Sequence, residues 1–361
     1  MDKRVVKMGV IGLGRGYGVM SQVLDCDNVR LTAICDNNPD KLSAAEKDLK
    51  KRDYEGVTSY TDFDEMLKGD FEAIFVATDA VCHVPFVVKA LDAGKHVISE
   101  IPAVNSLEEA RILKDAVNAH PELKYMAGEN CFYWAFIKAW KEMYANGKFG
   151  QAVYAEAEYL HPSDYRKYKK ENFPLSHWRT TLPAIKYLTH DLGPLLYIMD
   201  DNVVSVTCME SDVVYNPYKT ESQCGVALFK TAKGAVIKIL VNFGSFTRPD
   251  HNFRLFGTKG SIETDRIKSL SEAHSFAQFD DIPGTFNEKI DIPVTLRFPG
   301  EADGGHGGAD RKMMLDFVKC IVEDTTPPID VDMGIRISIP GFLAHESAVQ
   351  GGAPVEIPVI N

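Results

Sequence analysis

Short unbroken apolar runs alternate with amphipathic stretches of helical period through the first third of the chain. Residues 5–11 are apolar and mostly β-branched or long, broken only by Lys7 and Gly9, and close on Gly12-Leu13-Gly14-Arg15-Gly16-Tyr17-Gly18. A run of that length bounded by glycines predicts a buried strand followed by a tight turn. Residues 18–24 have helix-compatible spacing, and Val29–Cys35 predicts a second strand ending at Asp36. Pro39–Lys51 predicts a helix with proline in its first turn and Asn37 or Asn38 as its cap. Residues 73–78 predict the next strand, 85–93 a helix closed by Gly94, and His96–Ser99 another strand. Ser106-Leu107-Glu108-Glu109 is a capping box that opens a helix running to about His120, where Pro121 stops it. Residues 124–127 supply one more strand. Alternating strands and helices imply right-handed crossovers and a doubly wound parallel sheet.

Past residue 129 the rhythm changes. Long β-rich stretches cover Ala152–Leu160 and residues 203–214, 222–231, 235–243 and 253–256, with Lys233-Gly234 marking a hairpin. Strands following one another without helices predict a mostly antiparallel sheet. Helices are expected at 134–146, 184–199, 309–323 and 334–350, covering one face. The chain has 361 residues, enough for two domains at roughly 150 each, and the change of pattern sets the expected boundary at 1–128 and 129–361.

Composition narrows the class. Charged residues are 25% of the chain and the net charge is −11, which excludes nucleic acid and anionic membrane as general partners. The cysteines are seven, an odd number with no C-x-x-C pair, so reduced thiols are expected and not a disulfide or zinc framework. No run approaches the length of a membrane span, and residues 1–7 do not read as a secretory leader, so a cytoplasmic protein is expected.

The glycine turn gives the first chemistry. In a dinucleotide fold the first glycine permits the tight turn, and the second lets backbone reach the pyrophosphate beside a helix N-terminus. Gly12 and Gly14 suit these roles, whereas the strict third position holds Tyr17, flanked by Gly16 and Gly18. Asp36 ends the second strand, 24 residues after Gly12. A carboxylate there accepts hydrogen bonds from the adenosine ribose hydroxyls and repels a 2′-phosphate, so NAD is expected over NADP.

Longer segments carry a family likeness. Val76-Ala77-Thr78-Asp79-Ala80-Val81-Cys82-His83, followed by Ala90-Leu91-Asp92-Ala93-Gly94-Lys95-His96-Val97-Ile98-Ser99-Glu100-Ile101-Pro102, resembles the Gfo/Idh/MocA oxidoreductase family. The resemblance implies an α/β fold: an N-terminal Rossmann dinucleotide-binding domain, and a C-terminal α+β domain with a large, mostly antiparallel open sheet for substrate binding and oligomerisation. It also implies cofactor contacts at Gly12, Gly14, Arg15, Gly16, Asp36, Thr78, His83, Glu100, Pro102, Glu129 and Asn130, with His83 packing beside the cofactor and not performing chemistry. The family's usual Glu-Lys-Pro is here Glu100-Ile101-Pro102, so its catalytic lysine is missing. The second family signature, Asp-x-Gly-x-His, becomes Lys186-Tyr187-Leu188-Thr189-His190. On one continuous helix Lys186 would stand one turn from His190 on the same face, and we read it as a relocated ammonium tuning that imidazole.

Further segments are similar to glycoside hydrolase family 109: Ala127-Gly128-Glu129-Asn130-Cys131-Phe132-Tyr133, Tyr159-Leu160-His161, His177-Trp178-Arg179, Thr189-His190-Asp191-Leu192-Gly193-Pro194 and Gly304-Gly305-His306-Gly307-Gly308. They also resemble bacterial enzymes that oxidise C3 of glucosides, C-glycosides included. The resemblance implies active-site roles for Glu129, Tyr159, His161 and His190, and substrate contacts at Tyr133, Trp178, Arg179 and His306. His161, His190 and His306 have no short-spaced ligand partner, so no metal is expected. The expectation is an NAD-dependent glycoside 3-oxidoreductase, a homo-oligomer with His190 as base. An NAD-dependent glycosidase working through transient C3 oxidation, another sugar or polyol dehydrogenase, and a non-catalytic NAD-binding regulator stand as alternatives.

Overall fold

Five apolar runs and one short polar segment of the first unit form one parallel sheet. The computed structural model describes residues 4–162, 178–268, 270 and 274–360, except for the side chain of Arg179. The strands are β1 (Val6–Ile11), β2 (Val29–Cys35), β3 (Thr58–Tyr60), β4 (Ala73–Val76), β5 (His96–Ser99) and β6 (Tyr125–Ala127), in spatial order β3-β2-β1-β4-β5-β6. Every pairing is parallel. β4 is buried at all its positions, which is why it reads as an unbroken apolar run instead of an alternating one. The order reverses between β1 and its two neighbours, and the glycine turn leaves the carboxyl end of β1 at this switch point, where such sheets bind ligands.

The connecting helices are α1 (Arg15–Met20), α2 (Pro39–Lys51), α3 (Phe63–Met66), α4 (His83–Asp92) and α5 (Leu107–Ala119). Asn38 caps α2 by accepting from the Asp40 N–H, and Ser106 caps α5 by accepting from the Glu109 N–H. α1 corrects the reading of 18–24. It starts at Arg15, inside the glycine cluster, because Gly16 and not Gly18 is packed into the strand behind it.

The domain boundary also differs from the expected single cut at 128. The compact units are 1–129 with 303–335, and 130–302 with 336–361. Residues 303–335 return to the first unit because α9 (Ala309–Glu323) lays Met313, Met314, Phe317 and Val318 into a buried core, packed against α1 and β1. The division falls inside α10 (Val331–Val349), between Ile335 and Arg336.

The second unit is a nine-stranded sheet, with α6 (Ala135–Ala145), α7 (Trp178–Thr181) and α8 (Thr189–Met199). Its strands are β7 (Ala152–Leu160), β8 (Val203–Glu210), β9 (Cys224–Thr231), β10 (Val236–Asn242), β11 (Asp250–Gly257), β12 (Gly260–Thr264), β13 (Ser275–Phe279), β14 (Ile290–Ile292) and β15 (Val355–Glu356). The order is β14-β13-β12-β11-β7-β10-β9-β8-β15, antiparallel throughout except for the pair β7–β10. Burial alternates along β9 and β10, with Ala227, Phe229, Ile237, Ile239 and Val241 turned to the core, and Gly234 supplies the hairpin's left-handed residue at φ 98°. β12 to β15 went unread, and β11 begins three residues earlier than expected, at Asp250.

Candidate functional site

The first unit builds a nucleotide cradle from its glycine turn. Gly12 has φ +87°, and a Cβ there would lie 2.2 Å from the Ala77 carbonyl oxygen. Gly16 takes the third glycine's role one place earlier than the strict spacing, since a Cβ there would meet Ala77 Cβ and Val10 Cγ2, both at 2.8 Å. Over Gly14 the space is open, with only Lys41 Nζ within reach of an added Cβ, at 3.8 Å. Asp36 is buried and clasps the turn: Oδ2 accepts from the Leu13 N–H at 2.8 Å and Oδ1 from the Asn38 N–H at 2.9 Å. Lys41 Nζ approaches the same carboxylate at 3.6 Å. Thr78 Oγ1 is buried without a hydrogen-bond partner. An open backbone turn, a carboxylate with acceptor capacity left and an orphan hydroxyl at the switch point fit a dinucleotide.

Around that cradle several residues expected to contact the cofactor also brace the unit internally. His83 is buried, with Nδ1 2.9 Å from the Pro102 oxygen and Nε2 3.1 Å from the Thr78 oxygen, so its ring ties those two segments together. The Ile101–Pro102 peptide is cis, and Ile101 is 2% exposed, an apolar side chain in the place of the family's lysine. Arg15 is held by carboxylates: Nε donates to Glu100 at 3.1 Å, and the two terminal nitrogens donate to Asp310 at 2.8 and 2.6 Å. Burial raises the Asp310 carboxyl. Hydrogen bonds from His306 and Arg15, with the guanidinium charge, outweigh that and hold it well below the usual carboxylate range. His306 Nδ1 lies 3.1 Å from Asp310, in a left-handed backbone conformation at φ +51°. The His-Gly-Gly segment therefore belongs to the first unit, where His306 braces the Asp310 carboxylate that α9 presents to Arg15. Glu129 is fully buried at the end of this unit.

The second unit assembles imidazoles and aromatic rings by strand register. Tyr159 on β7 pairs across to Val241 on β10 and to His251 on β11. The His251 ring stacks on Tyr159 at 4.4 Å and 16°, with Trp134 edge-on to the same imidazole at 5.1 Å. His190, in the first turn of α8, meets Tyr159 edge-on at 5.3 Å, and Phe243 does so at 5.2 Å. His161 stands 5.6 Å from Tyr159. Trp178 is 6.1 Å from Tyr187, and Tyr187 is 5.3 Å from His190. Two polar partners orient the imidazoles. His190 Nδ1 faces Cys131 Sγ at 3.3 Å, and the Cys131 thiol donates to Asn130 at 3.4 Å. His251 Nδ1 faces Asp191 Oδ1 at 3.1 Å, with the Asp191 side chain wholly buried.

Of the residues expected at the site, the structure brings His190, Tyr159 and His161 together on adjacent elements. Sequence reasoning placed Lys186 wrongly. Residues Ala184–Tyr187 form a 3₁₀ turn, Leu188 interrupts it, and α8 starts at Thr189, so Lys186 and His190 share no continuous helix. Tyr187 occupies the place against His190 instead, and among the described residues the Lys186 ammonium makes no hydrogen bond or ion pair. Tyr133 is buried, with the Lys138 ammonium 4.9 Å from its ring. The Arg179 side chain and His177 lie outside the described residues. Missed altogether were His251 and the role of Asp191. The available signal was alternation: His251 is two residues before Phe253, on the same face of a strand read as starting too late.

Comparisons with known proteins agree with this architecture. Residues 6–128 match the family described as "Oxidoreductase family, NAD-binding Rossmann fold". Residues 137–263 match the GFO/IDH/MocA C-terminal domain, and residues 217–360 the glycosyl hydrolase 109 C-terminal domain. A glycosyl hydrolase family 109 protein of Solibacter usitatus is 28% identical over 98% of this chain and 87% of its own length. Glycosyl hydrolase family 109 protein 4 of Phocaeicola vulgatus is 27% identical over 91% of this chain and 72% of its own. Among solved structures, levoglucosan dehydrogenase in complex with NADH superposes with a TM-score of 0.84 at 20% identity, covering 99% of this chain and all of that one. Scyllo-inositol dehydrogenase from Lactobacillus casei, with bound NAD(H) and scyllo-inositol, gives 0.80 at 19% identity, covering 98% of this chain and 99% of that one. At these identities the structural likeness shows the fold.

Proposed function

The chain belongs to the Gfo/Idh/MocA oxidoreductase family and carries its NAD-binding Rossmann domain, and from that premise we propose that it oxidises the C3 hydroxyl of a glycoside to a 3-keto glycoside. Two observations, one in each unit, carry this reading: a buried isoleucine replaces the family's lysine in the first, and the second holds a cluster of oriented imidazoles and aromatic rings. Bound NAD, held by Gly12, Gly14, Asp36 and Thr78, supplies the hydride acceptor. The protein's own part is to hold the sugar and to take the hydroxyl proton. His190 takes it, oriented through Nδ1 by Cys131. Tyr159 and His161 orient the hydroxyl, and the rings of Tyr133 and Trp178 supply apolar faces for sugar and aglycone, together with Arg179. A neutral glycoside needs stacking surfaces and not a basic patch, which suits a chain of net charge −11. We place its action in the cytoplasm as a homo-oligomer. Seven free thiols support the reducing compartment, and no helix of the described residues is long and apolar enough to cross a membrane.

The second reading is an NAD-dependent glycosidase in which oxidation at C3 is transient. The match of residues 217–360 to the glycosyl hydrolase 109 C-terminal domain favours it. A mass-spectrometric screen of O- and C-glycosides, with NAD added, separates the readings. A product lighter by two hydrogens supports the dehydrogenase, and free aglycone without accumulating ketone supports the glycosidase. Oxidation of inositols or free aldoses only would replace both by a simpler sugar or polyol dehydrogenase. No turnover of any glycoside would overturn the proposal.

A further inference from the structure

The reaction above uses His190 as base and His161 to orient the hydroxyl, yet the Tyr159 ring contacts a third imidazole, His251, whose geometry is that of an oriented base. Asp191 is a wholly buried carboxylate in the first turn of α8, and its Oδ1 lies 3.1 Å from His251 Nδ1. A buried carboxylate on one ring nitrogen fixes the tautomer that donates from Nδ1 and leaves the lone pair on Nε2. Aromatic rings flank the imidazole: Tyr159 stacked at 4.4 Å, Trp134 at 5.1 Å and Phe253 at 6.5 Å. Among the described residues Nε2 makes no hydrogen bond, and the side chain keeps 17% of its surface exposed. The His190 ring stands 6.1 Å away, perpendicular to it, and is oriented by a different partner, Cys131. His190 and His251, both against Tyr159 and each with its own orienting group, are suited to take protons from two neighbouring atoms of one substrate.

We propose that His251, positioned by Asp191, is a second catalytic base that removes the proton from the carbon beside the newly formed carbonyl. The inference rests on the reading of this cluster as the sugar site. Oxidation of a secondary alcohol draws one proton from oxygen and leaves a ketone, which acidifies the hydrogens on the adjacent carbon. The lone pair of His251 Nε2 forms a bond to that hydrogen, and the C–H pair becomes a C=C bond. The carbonyl π pair moves onto oxygen, giving an enolate and an imidazolium, with no net oxidation or reduction. Return of the proton restores the ketone. From the enolate, a substituent on C1 can depart with the pair of its bond, so the same base makes glycosidic cleavage accessible.

The test supplies methyl 3-keto-α-D-glucopyranoside to the full-length enzyme with NAD in deuterium oxide and follows deuterium uptake at C2 by mass spectrometry. Wild type is expected to exchange well above the buffer rate. His251→Gln is expected to slow exchange by about 10²-fold or more, and Asp191→Asn by roughly 10-fold to 100-fold. In the same variants, exchange is expected to fall about 10-fold or more further than hydride transfer from a glycoside identified by the screen. His251→Asn serves as the second variant if the glutamine protein does not fold. Wild-type exchange at the buffer rate overturns the inference. So does undiminished exchange in a folded His251 variant, or equal loss of exchange and hydride transfer. Exchange of the ketone without oxidation of any glycoside would instead overturn the proposed function and leave the second base standing.

Discussion

The cofactor turn and the imidazole cluster solve opposite problems with opposite materials. The turn is made of residues adjacent in sequence, stiffened by charge: Asp36 holds the Leu13 amide, while Glu100 and Asp310 hold Arg15. The cluster is made of residues far apart in sequence, brought together by the register of β7, β10 and β11 and by the start of α8, and is faced mainly with aromatic rings. An anionic dinucleotide is recognised by backbone amides that a motif can encode locally. A neutral sugar is recognised by side-chain surfaces that only a completed sheet presents. The lesson is that local motifs identify the cofactor, whereas strand register decides the chemistry.

The sharpest way to break this contrast is at Gly12. A Cβ there lies 2.2 Å from a main-chain oxygen, at a φ of +87° that a branched residue does not adopt, so Gly12→Val should abolish NAD binding in isothermal titration calorimetry. His190→Gln should lower kcat by about 10²-fold to 10⁴-fold and leave the NAD dissociation constant unchanged, the signature of a site whose chemistry and cofactor are held by different elements. A parallel loss of NAD affinity would erase the distinction.

Asp310→Asn probes the charged braces. Breaking a buried pair costs on the order of 3 kcal/mol, read as a lower urea midpoint. The Asp310 carboxyl is depressed in the folded protein, so its stabilisation is present above the ordinary aspartate range, near pH 4, and is lost as pH falls towards the folded value. The difference between wild type and Asp310→Asn should therefore be full at pH 7 and shrink in acid. A constant difference would mean that Arg15 and His306 are not what holds it. The smallest effect is expected at Lys186→Met, with turnover near that of wild type, because Leu188 separates this residue from the helix of His190.

Legibility followed the same divide. In the first unit β2, α2, β5 and α9 fall at the expected residues, since apolar runs, Asn38, Ser106 and Gly94 punctuate the chain by local rules. β3, three residues long with no buried position, carried no pattern to read. The return of residues 303–335 to this unit had no local signal, being decided by which surface α9 buries. In the second unit β7 and the hairpin of β9 and β10 were plain from alternation and Gly234. His251 was not, because a polar Asp250-His251-Asn252 start masks a strand whose neighbours are fixed only by pairing. Lys186 misled because four-residue spacing was read as one helix, while the chain makes a 3₁₀ turn and then starts another helix.

The Arg15–Asp310 clamp also sets an order of events in synthesis. Its two halves are 295 residues apart in the chain. N-terminal domains ordinarily fold while the rest of the chain is still being made. Here the glycine turn can form early, but Arg15 has no Asp310 to close on until α9 has left the ribosome. The dinucleotide unit is thus begun first and finished only after the second sheet's main strands have been made, so a chain truncated before α9 retains the nucleotide motif but lacks the fastening that holds it.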